Sequence, residues 1–165
     1  HALEIDARPY ELWLDPAEID PGSWATRPDL WRMGAEILAA GPPDTEREFI
    51  HGDFQHFNML WERERLVGIL DWTNPMLGPR DVDIGHCRLN LAVMFSAEVA
   101  ERFRERYEAE AGRNVDQWWD LQEICAYGPD WPRFIPVQVA NRAPLDVAGM
   151  TSRVEDLLEI ALSRF

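Results

Sequence analysis

Hydrophobic residues recur at helical spacing in five segments of the chain, and polar stretches separate these segments. A spacing of three or four positions places side chains on one face of a helix, so each segment is predicted to be a helix with a buried side. The predicted helices begin near Pro28, Asp81, Ser96, Asp116 and Ser152. Proline suits the first turn of a helix and serine caps its free N–H groups, so three of these starts also carry a local signal.

The predicted helices differ in how much of their surface they should bury. The helix from Asp81 is apolar on two sides, which predicts a central, buried helix. On the next helix, the Arg104/Glu108 and Arg106/Glu110 pairs are expected to lie in solvent. The apolar stripe of the first helix consists of Leu30, Met33, Ile37 and Leu38.

Breaks in the pattern predict where helices begin and end. Gly112 is expected to stop the third helix, because glycine readily adopts the left-handed conformation of a helix end. Ser152 and Glu155 have the spacing of a capping box for the last helix. Residues 1–28 and the proline-rich connector 128–136 are predicted to be irregular.

Short apolar runs predict strands at Phe49-Ile50, Met59–Trp61 and Leu66–Leu70. The last two flank a polar turn and are expected to pair as a hairpin. If the hairpin is centred on that turn, Asn58 lies opposite Asp71, and both polar side chains meet at one end of the ribbon. The sequence therefore predicts an α+β fold that is mainly α, with a helical bundle beside a small hairpin.

The bulk composition limits the kind of protein and its partners. With 46% hydrophobic residues, residues 1–165 are expected to form a single globular domain. The net charge of −14 argues against nucleic acid and anionic membranes as partners, and it permits a cationic small molecule. Short apolar runs, no visible signal peptide and two cysteines expected to be reduced, buried thiols favour a cytoplasmic protein.

Polar residues suited to phosphate chemistry cluster on either side of the predicted hairpin. His51, Asp53 and Asn58 precede it, and Asp71 follows it. A carboxylate can take or orient a hydroxyl proton, while a carboxamide and a second carboxylate can hold magnesium on the phosphates of a nucleotide. The chain contains no lysine, so the lysine with which kinases grip those phosphates is absent from it.

Three motifs together carry a resemblance to a known family. They read His51-Gly52-Asp53-x4-Asn58, Leu70-Asp71-Trp72 and Gly78-Pro79-x3-Asp83-Ile84-Gly85. This set resembles the aminoglycoside phosphotransferase family, which includes many kinases of small-molecule hydroxyl groups and shares the protein-kinase-like fold. The resemblance covers about residues 49–86, and it implies that the chain is the C-terminal, catalytic lobe of that fold.

The resemblance also implies roles for individual residues. Asp53 matches the catalytic aspartate that faces the substrate hydroxyl, and His51 matches the histidine that helps to set the loop. Asn58 and Asp71 match the two magnesium ligands. Asp83 matches an aspartate that braces the catalytic loop from the following helix. The implied cofactor is Mg²⁺ with ATP or GTP.

The chain departs from the family pattern at several points. Gln55-His56-Phe57 replaces the His-Pro-Gly-like segment of many relatives, and Thr73-Asn74 stand where an acidic residue is common. No glycine-rich loop is present, so the N-terminal lobe that grips the nucleotide is expected to be missing. Residues 1–165 alone are therefore expected to be inactive, and the face left by that lobe could be covered by self-association.

A second group of acidic and aromatic residues lies farther along the chain. Asp116, Trp119, Asp120 and Glu123 could line a pocket for a cationic substrate. The alternative is a tryptophan-rich core with a solvated acidic face. His86 is expected to be a hydrogen-bonded histidine of the core.

Two other functions stay open beside transfer of the γ-phosphate of a nucleotide to a small-molecule hydroxyl. A kinase-like lobe without nucleotide grip could bind a ligand or a partner without chemistry. The spacing of His51, Asp53, His56 and Asp71 also allows a metal hydrolase. A degenerate enzyme is expected to lose a metal ligand first, so the presence of Asp53, Asn58 and Asp71 favours the phosphotransferase.

Overall fold

The computed structural model describes residues 7–20, 22–140 and 142–165. Within them the helices are α1 (Pro28–Leu38), α2 (Arg80–Met94), α3 (Ala97–Ala111), α4 (Gln117–Cys125), α5 (Trp131–Gln138) and α6 (Met150–Leu162). The strands are β1 (Arg8–Pro9), β2 (Glu48–Ile50), β3 (Met59–Glu62), β4 (Arg65–Ile69) and β5 (Met76–Gly78). The fold is α+β with helices dominating, and each of the five predicted helices is present.

Helix α2 is the central helix of the fold, as its two apolar sides predict. It packs against α3, α4 and α6, and it also contacts β2. Most of its side chains are buried, including Val82, Cys87 and Leu89. Because the helix is held on several sides, the polar residues of its first turns, Asp83 and His86, are held at defined positions.

Three of the four residues of the predicted stripe of α1 pack into or against the core, and Met33 does not. Trp31 and Gly34 are buried, whereas Met33 is 47% exposed. The indole N–H of Trp31 donates to the buried carboxylate of Glu155 at 3.3 Å, so the ring has a polar partner inside the core. A Cβ at Gly34 would lie 2.9 Å from the sulfur of Cys125, so the glycine allows α1 to approach α4 closely at this point. The buried face of α1 therefore also includes Trp31 and Gly34, and the prediction is wrong for Met33.

Local signals correctly place the ends of α3. Ser96 Oγ accepts a hydrogen bond from the N–H of Val99 at 3.3 Å, and Gly112 ends the helix with a φ of 66°. Both predictions are confirmed. Helix α4 has a similar start, because Asp116 accepts from the N–H groups of Trp118 and Trp119.

The two charge pairs of α3 have different surroundings. The pair made by Arg106 is exposed, as predicted. Arg104 and Glu108 are only 16% and 17% exposed, so the prediction is wrong for this pair. Arg104 also contacts Glu101, which in turn pairs with the buried Arg88 of α2. This side of α3 therefore faces the protein rather than solvent.

The connector 128–136 is not irregular throughout, contrary to the prediction. Helix α5 starts within it, and the carbonyl of Asp130 accepts the first hydrogen bonds of the helix. Pro132 lies in the first turn, where its missing N–H has no partner to lose. Pro136 removes one later hydrogen bond, and burial of the neighbouring Ile135 compensates for that loss.

The predicted capping box of the last helix is wrong. Helix α6 begins two residues before Ser152, whose hydroxyl donates to the carbonyl of Gly149. Glu155 is buried and reaches instead to the start of α1, where it accepts from the N–H groups of Thr26 and Arg27 at 2.9 and 3.0 Å. A carboxylate from α6 thus caps a helix distant in sequence.

Two small sheets accompany the helices. Strand β5 lies between β1 and β2, parallel to the first and antiparallel to the second. The sequence pattern misses β1 and β5 because such short runs show no periodicity. Strands β3 and β4 form the predicted antiparallel hairpin. Residues 1–6 and 21, which belong to the segment predicted to be irregular, lie outside the described residues.

Cys87 and Cys125 are buried free thiols, as expected. Burial raises the pKa of each thiol to about 12, so neither is a reactive thiolate. Among the helices that the structure describes, none is long and apolar enough to cross a membrane.

Candidate active site

The loop after β2 is held by a carboxylate from the first turn of α2. The two oxygens of Asp83 accept from the backbone N–H groups of His51 at 2.7 Å and Gly52 at 2.9 Å. Two successive peptide groups are thereby fixed against the helix. Burial raises the pKa of Asp83, and these two hydrogen bonds counteract part of that rise. The structure thus brings Asp83 to the loop that carries Asp53.

Gly52 lets this loop pass close to the segment between β4 and β5. Its φ of 79° lies in the left-handed region, which side chains disfavour. A Cβ at this position would lie 2.4 Å from the carbonyl oxygen of Asn74 and 2.6 Å from Cε of Met76. Any side chain at position 52 would therefore be disfavoured twice, by the backbone conformation and by steric overlap with the neighbouring segment.

The ring of His51 ties the loop to the end of the hairpin. Its Nδ1 accepts from the backbone N–H of Asp53 at 3.2 Å, and its Nε2 lies 2.8 Å from the carbonyl oxygen of Leu70. These partners fit a neutral ring that carries its proton on Nε2. The side chain is buried and both nitrogens are engaged, so His51 can position the loop but cannot also contact a substrate.

Asp53 carries the partly exposed carboxylate of this loop. Its Oδ1 accepts from Gln55 Nε2 at 2.7 Å and lies 3.1 Å from His86 Nε2, and its Oδ2 accepts from Asn58 Nδ2 at 3.0 Å. Partial burial raises the pKa of Asp53, but the hydrogen bonds from His86, Asn58 and Gln55 outweigh that effect and lower it overall. The group is therefore an ionised carboxylate at neutral pH, and its side chain is 39% exposed.

The register of the hairpin differs from the prediction by one residue. The N–H of Leu70 donates to the carbonyl of Asn58 at 2.8 Å, so Asn58 lies opposite Leu70 rather than Asp71. The turn is centred one residue earlier than predicted, and a β-bulge between Leu60 and Trp61 recovers half of the resulting shift. A polar turn without Asn-Gly or Asp-Gly did not specify this geometry.

Asn58 and Asp71 offer oxygen atoms of the kind that magnesium prefers. Asp71 follows β4 with a φ of 65°, and its Oδ1 accepts from Thr73 Oγ1 at 2.9 Å. The side-chain nitrogen of Asn58 donates to the carbonyl oxygen and to Oδ2 of Asp53. The amide oxygen of Asn58 takes no part in these two hydrogen bonds. Because Mg²⁺ binds few protein oxygens and keeps water and phosphate in its shell, this donor pair fits the ion.

A cavity of about 530 Å³ opens beside Asp53. Its lining combines aromatic side chains from the N-terminal segment and α5 with polar groups from the loop, α2 and α4. The lining residues are Trp13, Leu14, Gly52, Asp53, Thr73, Asn74, His86, Glu123, Ala126 and Trp131. A cavity of this size can hold a small organic molecule.

Of the four residues predicted to bind substrate, Glu123 alone lines this cavity. Asp116 caps α4, and the indole N–H of Trp119 donates to Thr45. Asp120 is fully buried in ion pairs with arginine side chains. The structure therefore separates the predicted group into three residues with internal partners and one that faces the cavity.

Sequence reasoning missed two partners of Asp53, namely Gln55 and His86. His86 is hydrogen-bonded, as predicted, but its side chain is 22% exposed and lines the cavity rather than lying in the core. A signal for it existed, because Asp83 and His86 are three positions apart and share a helix face. Gln55 had no comparable signal, since its contact depends on the course of the loop.

The comparisons with known proteins agree with these motifs. Residues 3–125 match the model of a family described as a phosphotransferase enzyme family. The chain belongs to this family. No curated protein matches the chain at a significant level. One solved structure that matches is that of a Ralstonia eutropha JMP134 protein. Its name, aminoglycoside phosphotransferase, was assigned without a demonstrated activity.

That protein and this phosphotransferase-family chain share 16% sequence identity, with a TM-score of 0.46. The match covers 86% of this chain and 50% of the other, so the chain spans half the length of that protein.

The geometry does not support a metal hydrolase built on His51, Asp53, His56 and Asp71. Both ring nitrogens of His51 are already engaged in the loop. The described part of the chain brings together no three histidine, cysteine, aspartate or glutamate side chains that could hold a metal ion. Burial lowers the pKa of His56, whose ring packs against Phe57 and Phe95.

Proposed function

We propose that this chain is the catalytic lobe of a small-molecule phosphotransferase, which moves the γ-phosphate of ATP or GTP to a substrate hydroxyl. The observation that carries the proposal is Asp53, an ionised carboxylate at the edge of a cavity of about 530 Å³. Phosphoryl transfer depends mostly on positioning and charge neutralisation, so the protein needs few reacting groups.

Asp53 faces the attacking hydroxyl in this proposal and accepts its proton or orients it. The carboxylate is held by Gln55, Asn58 and His86, yet enough of it is exposed for a substrate to approach. A carboxylate held in this way can act as a base without reorganising during the reaction.

Asn58 and Asp71 are the proposed magnesium ligands. Mg²⁺ held there would neutralise negative charge on the transferring phosphate. The loop itself is held in position by its neighbours: the ring of His51 and the carboxylate of Asp83 on α2 fix its backbone, and Gly52 allows its close approach to the Asn74 carbonyl.

The proposed substrate is a small alcohol, and a cationic group on it is compatible with the cavity. Trp13 and Trp131 supply aromatic surface, and ring faces attract cations. The net charge of −14 also favours approach of a cation.

We expect residues 1–165 by themselves to be inactive. They contain no lysine to grip the nucleotide phosphates and no glycine-rich loop to cover them. Arginine carries the same charge, but its planar fork differs from the compact ammonium of lysine.

The test is an isotope-transfer assay with magnesium, ATP or GTP, and a panel of aminoglycosides and other amino-alcohols. It compares residues 1–165 with the complete protein, and wild type with Asp53→Asn. We expect Asp53→Asn to lower kcat of the complete protein by roughly 10²–10⁴-fold, with nucleotide affinity nearly unchanged.

A matched control is Asp29→Asn, which makes the same chemical change at a side chain that is 77% exposed in α1. It should keep full activity. An Asp53→Asn variant with the wild-type kcat would remove Asp53 from the proposed role. Robust turnover by residues 1–165 would refute the expectation of inactivity, and binding without any turnover in the complete protein would favour the non-catalytic module.

A further inference from the structure

We propose that His86 is the positioning residue that orients Asp53, and that buried Glu123 holds His86 from the other side of its ring. The kinetic meaning of this arrangement rests on the proposed phosphotransferase function. The arrangement itself rests on contacts among four side chains, Tyr10, Asp53, His86 and Glu123, here called the histidine cluster.

The two ring nitrogens of His86 face two different carboxylates. Nε2 lies 3.1 Å from Oδ1 of Asp53, and Nδ1 lies 3.5 Å from Oε2 of Glu123. Only a protonated imidazole has N–H groups on both nitrogens, so it can donate to both carboxylates at once. The ring thereby links the catalytic loop to helix α4.

Glu123 is a firm anchor for this ring. It is 1% exposed, and its Oε1 accepts from the hydroxyl of Tyr10 at 3.2 Å. Helices α2 and α4 are in close contact next to His86. A Cβ added at Gly85 would lie only 2.9 Å from Cβ of Glu123. The carboxylate of Glu123 is therefore held in a closely packed position from which it can fix one side of the His86 ring.

The charges around His86 favour its protonated form. Asp53 faces it from the loop, Glu123 faces it from α4, and Asp83 lies one turn earlier on its own helix. Burial alone would lower the pKa of His86, but the contacts with Asp53 and Glu123 outweigh this effect and raise it to about 9. The ring is then a cation at neutral pH.

This cation determines which oxygen of Asp53 stays available. An ionised carboxylate has about four acceptor positions. His86 and Gln55 both bind Oδ1, whereas Asn58 alone binds Oδ2. A substrate hydroxyl entering from the cavity is thus directed to Oδ2, and loss of His86 would free the carboxylate to rotate away from it.

The first test measures the arrangement without any activity. Histidine-labelled complete protein is titrated by NMR, and His86→Gln identifies the signal of residue 86. We expect the apparent pKa of His86 to lie at least one unit above the ordinary value of about 6.5. In each of the single variants Glu123→Gln and Asp53→Asn, this pKa should fall by at least one unit. Glu105→Gln, the same change at an exposed carboxylate of α3, should leave it unchanged.

The second test measures the consequence in the phosphoryl-transfer assay. His86→Ala should lower kcat of the folded protein by about 10²-fold, the scale of a misplacement near 1 Å, with little change in KM. His86→Gln, which keeps one N–H donor, should recover part of that loss. A residue with a merely structural role would lower the amount of folded protein and leave its kcat intact.

The outcomes separate this inference from the proposed function. The inference is overturned if the pKa of His86 lies at or below the ordinary value, even if the enzyme is active. It is also overturned if Glu123→Gln leaves the pKa of His86 unchanged. Wild-type turnover that His86→Ala leaves unchanged overturns it as well. If the complete protein shows no transfer at all, the proposed function fails, while the NMR titration still decides whether His86 holds Asp53.

Discussion

Helices α2 and α4 carry two charged clusters side by side, and these clusters behave differently. In the first, here called the arginine cluster, Arg88 of α2 pairs with Asp120 of α4 and with Glu101 of α3. Arg104 and Arg164 add further ion pairs to the same two carboxylates. In the histidine cluster, His86 of α2 lies between Glu123 of α4 and Asp53 of the loop.

The two clusters differ in their cation and in their exposure. Arg88 and Asp120 are fully buried, and arginine keeps its charge at every pH that the protein survives. His86 can lose its charge, and it lines the cavity. Positions 86 and 88 are only two residues apart, so a permanent internal pair and a titratable group at a candidate active site lie within a single turn of α2.

The difference in burial and in the kind of cation indicates a separate role for each cluster. The arginine cluster joins three helices around a fully buried pair, Arg88 and Asp120. The histidine cluster uses the same helix pair to hold a carboxylate that a ligand can reach. The predictions that follow test whether stability and chemistry are divided between the clusters in this way.

Arg88→Met should be the most destabilising change. It leaves the buried Asp120 and the partly buried Glu101 with one arginine each instead of two, so we expect the free energy of unfolding to fall by about 3–4 kcal/mol, near the lower end for a broken buried pair. Urea unfolding measures this loss. The control Arg106→Met breaks an exposed pair and should cost less than about 1 kcal/mol. Equal losses in the two variants would end the distinction between buried and surface pairs.

Stability should fall as pH rises because of the histidine cluster. The folded pKa of His86, about 9, is raised above its unfolded value, so its contribution is fully present below about pH 6.5 and is lost as pH rises through 9. The loss is up to about 3 kcal/mol. Unfolding curves at several pH values between 6 and 10 measure it. His86→Gln should remove this dependence, and Arg88→Met should keep it; a dependence that survives in His86→Gln assigns it to another group.

Gly85→Ala should disturb the contact between the two helices next to both clusters. The added Cβ would meet Cβ of Glu123 at 2.9 Å and the backbone of Asp120 at 3.3 Å. Overpacking of this kind costs about 1–3 kcal/mol, measured by urea unfolding. Gly68→Ala serves as the control, because its Cβ would lie 3.9 Å from the nearest atom. If Gly85→Ala is as stable as wild type, the helices are not fixed at this point.

Tyr10→Phe should have the smallest effect. It removes the hydroxyl that donates to Glu123 at 3.2 Å, a loss worth about 1 kcal/mol, and it leaves the ring in its aromatic contacts. Thermal unfolding and the NMR titration of His86 can be measured on the same sample. A loss as large as that of Arg88→Met would show that the anchor of the histidine cluster contributes as much to stability as the arginine cluster does.

Features that depend on neighbouring residues could be predicted from the sequence. The start of α3 at Ser96 and its stop at Gly112 follow from capping rules that involve one helix turn. The two apolar sides of α2 predicted a central helix, since such a helix needs partners on both sides. The loop motif placed Asp53 and Asn58 in one short segment, so their proximity followed from the chain itself.

Contacts between distant segments could not be predicted in this way. Glu155 has the spacing of a local capping residue, but it caps α1, more than a hundred residues earlier. The register of the hairpin depends on a β-bulge between Leu60 and Trp61, and the turn sequence carries no signal for this bulge. The acidic residues of α4 look alike in sequence, and only packing decides that Asp120 meets arginines while Glu123 meets His86.

Five of the described helices, the hairpin, the loop motif and the family could be recognised in the sequence, because each depends on residue types at short, regular spacing. Which charges are internal and which face the cavity became clear from the folded chain alone. Burial and long-range pairing set the free energy of a charged group, and neither quantity is encoded in its neighbours along the chain. The tertiary structure therefore shows what the sequence alone does not: His86 lies against Asp53, with Glu123 behind it.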